Sequence, residues 1–188
     1  MRTLVRCCLL LFVTAAVHAA EAMPGVTSHY RVVELDDGTR LQAIITIPDE
    51  QEPPRNPLLF TQWVSCGSLE YREGSNAHEL LAALARDSGL ALVRVERTAL
   101  DDSGPACADL DYETELAHYV GAFIQLLDDD YVDASRVYVY GSSLGSTTAP
   151  LVALQLQNAG FDIAGIMVQG GGAVTYYERM FNFERNYL

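Results

Sequence analysis

The stretch "VYVYGSSLGSTTAP", residues 137–150, decides how the rest of the chain is read. Alternating Val and Tyr make a strand, the strand stops at a glycine, and the residues from Leu144 onward can open a helix. Gly141-Ser142-Ser143-Leu144-Gly145 fits the pattern G-x-S-x-G. Three fixed positions match by chance in roughly 6% of chains this long, so context has to decide. A strand before the pattern and a helix after it are the context it requires, and both are present. Glycine at 141 and 145 gives the turn room, because a side chain there would collide with the neighbouring strand or helix. Such a turn holds Ser143 in a strained conformation with its Oγ exposed. The helix N-terminus beneath it favours negative charge. Ser143 is therefore the candidate nucleophile, and Ser142 occupies the variable position.

Outward from this turn the chain alternates. "PLLFTQWV" (57–64) is a continuous apolar run, as in a strand buried on both faces. "NAHELLAALARDSG" (76–89) spaces Ala77, Leu80, Leu81 and Leu84 at helical period, with Asn76 as N-cap and Gly89 as stop. "LALVRVER" is the next strand. The stretch from Tyr112 to Leu126 puts Tyr112, Leu116, Tyr119, Phe123 and Leu126 on one helical face, with Asp111 as cap. "RVYVY", "LGSTTAPLVALQLQNAG" and "IAGIMVQGG" then read as strand, helix and strand. This alternation predicts an α/β fold: a mostly parallel sheet with helices on both faces. Upstream, "DDGT" separates two β-rich runs near 29–35 and 40–47, which predicts an N-terminal antiparallel hairpin.

The composition, 188 residues with 49% hydrophobic and 20% charged, fits one globular domain. A net charge of −13 argues against nucleic acid as a partner, because phosphate binding needs a basic face. Residues 1–19 read as a secretory signal peptide: Arg2 and Arg6, an apolar run from Cys7 to Val17, then small residues. Cleavage after Ala19 fits, with Ala22 as the alternative. The run is too short for a spanning helix, so no stable membrane anchor is expected, although a retained leader is the competing reading. Residues 20–188 would then be the domain, secreted or periplasmic, with a charge of about −15 once Arg2 and Arg6 are lost. Only Cys66 and Cys107 remain in it. An even pair in an oxidising compartment suggests one disulfide, and two buried thiols are the alternative. Neither these cysteines nor the distant histidines make a metal site. Asp128–Asp130 with Asp133 reads as a solvated turn rather than a cation site, because calcium loops need spaced ligands and a turn glycine. Asp101 and Asp102 read as loop-capping carboxylates, with charge facing a cationic part of the substrate as the alternative.

With these residues in hand, the chain from about residue 30 resembles the α/β-hydrolase superfamily, in particular secreted bacterial enzymes grouped with dienelactone-hydrolase-like and acyl-peptidase-like serine hydrolases. "YGSSLGSTTAP" resembles their nucleophile turn and following helix, where Ala-Pro recurs. "QWVSC" resembles their loop after strand three, "ERTALDDSGPACADLDYETEL" their loop after strand four, and "YYERMFNFERNYL" the start of a helical cap. The resemblance implies Ser143 as nucleophile, the Leu144 N–H as one oxyanion donor, and the Val64 N–H as the second, with Ser65 as the alternative. Many relatives carry His-Gly or Gln-Gly where this chain has Gln62-Trp63. A backbone donor tolerates that change, and Trp63 would either shape the acyl pocket or pack in the core. The resemblance also brings the loops carrying Cys66 and Cys107 together. A bridge there would close a loop of about 42 residues, worth roughly 4 kcal/mol in loop entropy.

The implied activity is attack on an ester or amide carbonyl of a small-molecule or peptide substrate through an acyl-enzyme, with no cofactor. Such chemistry needs a base and an acid to orient it, in the chain order Ser, acid, His. No His follows Ser143, and the only acids there are Asp162, Glu178 and Glu184. His29, His78 and His118 read as solvent-facing or hydrogen-bonded structural residues. The expectation is therefore a fold without its last strands: an N-terminal piece of a longer reading frame, or a natural truncation. A non-catalytic exported binding module of the same fold is the competing function. A nucleotide-binding Rossmann-like domain is set aside, because no Gly-rich phosphate loop follows the first parallel strand.

Overall fold

The computed structural model describes residues 23–171 together with Tyr177, Glu178 and Arg185. The expected leader at 1–19 and nearly all of the expected cap segment lie outside the described residues. Six strands, β1 (Val26–Glu34), β2 (Arg40–Pro48), β3 (Pro57–Thr61), β4 (Ala91–Ala99), β5 (Val137–Ser142) and β6 (Ile163–Gln169), form one sheet. Their order is β1-β2-β4-β3-β5-β6. β2 runs antiparallel to both β1 and β4, and the other neighbours are parallel. The expected hairpin and parallel sheet are both present.

β3 sits at the centre and all five of its residues are buried. It ends at Thr61 rather than continuing through Val64, because Gln62 and Trp63 leave the sheet where the chain from β5 turns into its helix. β4 is longer than its partner. Pairing with β3 ends at Phe60–Arg94, and β4 continues five residues further, to Ala99.

The sheet's two faces build two cores. On one, Leu59, Val93, Val95, Val137 and Val139 meet Phe123 and Leu126 of α2 (Tyr112–Leu126) and Val152 and Leu156 of α3 (Gly145–Asn158). On the other, Leu58, Phe60, Leu92 and Tyr140 meet Leu81, Ala82 and Ala85 of α1 (Asn76–Ser88). The period-2 alternation of each inner strand thus feeds both faces, which is why these strands read as continuous apolar runs.

The helix ends follow local chemistry. Ser75, not Asn76, caps α1 by accepting the His78 N–H, and Gly89 closes it in the left-handed region at φ 68°. Asp111 caps α2 by accepting the Thr114 N–H at 2.7 Å. That bond is the main cause holding the Asp111 carboxyl below its ordinary range. Pro150 lies inside α3 and is exposed. At the sheet margin, Ile166, Met167 and Val168 of β6 are each about half exposed.

Candidate active site

The turn between β5 and α3 consists of Ser143 and Leu144. Ser143 has φ +52°, the left-handed region that residues other than glycine seldom adopt. The surroundings fix it there. Its N–H donates to the Gln169 carbonyl at 2.8 Å, and its own carbonyl accepts from the Ser146 N–H at 3.0 Å and the Ser146 hydroxyl at 2.6 Å. The flanking glycines are required by space. A Cβ on Gly141 would lie 2.2 Å from the Gly145 carbonyl oxygen, and a Cβ on Gly145 would lie 2.0 Å from the Thr61 oxygen and 2.8 Å from that of Gln62. The Thr61 hydroxyl also donates to the Gly145 carbonyl at 2.9 Å. The serine is thus half-buried at the end of β5, over the start of α3. There the first helical N–H groups, Leu144 and Gly145 among them, have no intrahelical acceptor.

The same glycine contact places the end of β3 beside the turn. Val64, the residue expected to supply a second donor, lies in the loop that follows and is 63% exposed. Trp63 packs edge-on against Phe60 at 5.4 Å and tilted against Tyr71 at 5.5 Å, so it belongs to the aromatic cluster of the α1 face. Phe60 stacks on Tyr140, whose hydroxyl bonds the Gln169 side chain. Cys66 and Cys107 are joined as a disulfide with Cα atoms 5.6 Å apart, tying this loop to the one after β4.

Further along the loop, Glu96 of β4 accepts from the Ser68 hydroxyl at 2.6 Å and the Leu69 N–H at 2.7 Å. Arg94, fully buried, donates to the Leu69 carbonyl at 2.8 Å and to the Thr46 hydroxyl at 2.9 Å. Burial pushes the Glu96 carboxyl up, against the pull of Ser68, Leu69 and Arg94. Neither charge was legible as a structural anchor, and the only signal is that charged residues interrupt an otherwise apolar strand.

The three described histidines all have structural placements. His29 stacks on Tyr131 at 3.8 Å, and burial lowers its pKa. His78 is buried on α1 with Nδ1 3.9 Å from Glu79. His118 is buried on α2 with Nε2 3.3 Å from Asp37 in the β1–β2 turn. The last two are interior, not solvent-facing. Among the acidic residues, Asp129 pairs with Arg31 at 2.6 Å and Asp133 accepts the Ser135 N–H. Asp101 lies 3.4 Å from Arg40 at the surface. Among the described residues no group of three His, Cys, Asp or Glu side chains is placed to hold a metal, and no helix is long and apolar enough to cross a membrane.

No known protein family and no curated protein matches the sequence. Solved structures do match the fold. A bacterial heroin esterase superposes with a TM-score of 0.59 at 19% identity, covering 80% of this chain and 46% of that one. A fungal esterase from Rhizomucor miehei gives 0.60 at 17% identity, covering 88% and 55%. A thermostable esterase from Pseudomonas putida gives 0.56 at 20% identity, covering 79% and 43%. The chain spans about half the length of these esterases and has their α/β-hydrolase fold over that half.

Two measurements check this geometry. Gly145→Ala drives a Cβ into the Thr61 carbonyl and should cost about 3 kcal/mol or more in chemical denaturation. Gly160→Ala, at φ +99° with nothing within 4 Å, should cost only about 1 kcal/mol. Equal costs would show that the glycine contact is not tight. The second concerns pH. The Glu96 carboxyl titrates above its ordinary value of 4.5 in the folded chain, so folding takes up a proton there. The penalty for charging it is present at neutral pH and fades as pH falls through the raised value. The stability difference between the parent and Glu96→Gln should therefore move in the parent's favour from pH 7 toward 4.5, and movement the other way would contradict the buried placement.

Proposed function

We propose that this protein is an exported serine hydrolase in which the Ser143 Oγ attacks an ester or amide carbonyl and forms an acyl-enzyme. The observation that carries the reading is the conformation of Ser143: φ +52° on a two-residue strand-to-helix turn, with glycines on both sides that space alone demands. A plain turn serine has no need of such strain, whereas a nucleophile does, because the turn lifts its oxygen clear of the sheet. In the attack the Oγ proton passes to a base, which later hands it to the leaving group, while the bond from Oγ to carbon forms and the carbonyl pair moves to oxygen. The N–H groups of Leu144 and Val64 receive that charge at the helix start. Collapse then expels the alcohol or amine, and water releases the acid. The esterases that share the fold favour an ester as the substrate. The Cys66–Cys107 bridge and the leader-like N-terminus support an oxidising destination, outside the cytoplasm. No cofactor enters this scheme, and no base is assigned among the described residues.

A second reading, a non-catalytic binding module of the same fold, draws on the placement of His29, His78 and His118 in structural contacts. A fluorophosphonate probe applied to the native full-length gene product separates the two. The hydrolase reading expects labelling on the peptide containing Ser143, abolished by Ser143→Ala. Absence of label at Ser143 would overturn it in favour of the binding module.

A further inference from the structure

Beyond its pairing with β3, β4 runs alongside the loop that follows β3 and touches it repeatedly. Glu96 holds Ser68 and Leu69, the Thr98 hydroxyl donates to the Cys66 carbonyl at 3.5 Å, and Arg97 donates from Nη1 to the Ser65 carbonyl at 3.2 Å. Arg97 does more than touch. Its Nη2 lies 2.5 Å from Oε2 of Glu115 on α2, and the two side chains are only 9% and 6% exposed. One guanidinium therefore binds a buried carboxylate and a loop carbonyl at once, using the fork geometry that lysine lacks.

One turn along α2, the Tyr119 hydroxyl accepts the Gln62 N–H at 3.4 Å. The inner face of α2 thus grips the first residues of the loop at two points, at Gln62 directly and at Ser65 through Arg97. The peptide groups carrying the N–H of Trp63, Val64 and Ser65 lie between those two grips.

We propose that Arg97, fixed by Glu115, is a positioning residue that sets the orientation of the Val64 and Ser65 N–H groups toward the carbonyl bound at Ser143. The proposal rests on the hydrolase reading above and adds to it the part that aims the second oxyanion donor. A buried ion pair is a weak device for stability, because desolvation offsets most of the attraction. A fixed dipole aimed at developing charge is worth far more, since it needs no reorganisation during reaction. The disulfide two residues past Val64 restrains how far the loop can travel, and Arg97 sets how its peptide planes face.

The pair is tested as a pair, because removing one partner leaves the other charged and buried. In the native full-length protein, Arg97→Met/Glu115→Met should raise amide hydrogen exchange across 62–66 about tenfold while exchange in β3 and β5 stays at the parental rate. The rate of Ser143 phosphonylation should fall about tenfold, with kcat for an ester reduced and KM unchanged. Arg97→Lys keeps the charge opposite Glu115 and loses the fork, and it should move both readouts in the same direction even if the double variant fails to fold. Exchange at 62–66 that stays parental in these variants overturns the proposal, whatever happens at Ser143. Faster loop exchange with undiminished phosphonylation overturns the link to the oxyanion donors. A parent protein that is never phosphonylated contradicts the hydrolase reading instead, and the exchange arm then decides by itself whether Arg97 orders the loop.

Discussion

The backbone of Gly145 lies against the carbonyls of Thr61 and Gln62, so close that a single methyl group would not fit. That contact sets the relation between two neighbouring parallel strands at the edge where both end. β3 releases the chain at Gln62, and α3 begins directly after the turn formed by Ser143 and Leu144. The strained serine, the start of the helix and the loop from Gln62 to Cys66 come together as a consequence. Parallel strands share one C-terminal edge by construction, and here the neighbours β3 and β5 deliver their loops to the same point.

The overhang of β4 supports that point from the side. Its terminal residues carry the charges and hydroxyls that hold residues 65–69, and the disulfide fastens the same loop covalently. Arg94, Glu96, Arg97 and Glu115 are costly residues to bury, and each is placed where a loop carbonyl, a loop N–H or an opposite charge compensates it. The aromatic group of Phe60, Trp63, Tyr71 and Tyr140 fills the space under the loop on the α1 face. This edge is packed by ordinary core contacts below and held by polar anchors beside it.

Much of this was legible in the sequence because it depends on local pattern. The Val-Tyr run ending at Gly141, the Asp-Gly turn of the hairpin and the helical spacing before Gly89 each specify their element through short-range chemistry. Other features depend on partners far along the chain. β3 ends at Thr61 because of Gly145, 84 residues away. Ser75 caps α1 in place of the adjacent Asn76, a one-residue choice that cap preferences do not resolve. Reading α2 by its apolar stripe found Tyr119 and Phe123 but not Glu115 and His118, which are buried on the same helix by partners from β4 and the β1–β2 turn. A charge counted as solvated in a helical pattern becomes interior when a distant residue neutralises it.

Whether Ser143 carries the acyl group is read by rapid-quench mass spectrometry of the native full-length protein during ester turnover. The expected result is a transient acyl group on the peptide containing Ser143, lost on dilution into buffer and absent from Ser143→Ala. Ester turnover with the acyl group on any other residue, or with Ser143→Ala as active as the parent, would contradict it.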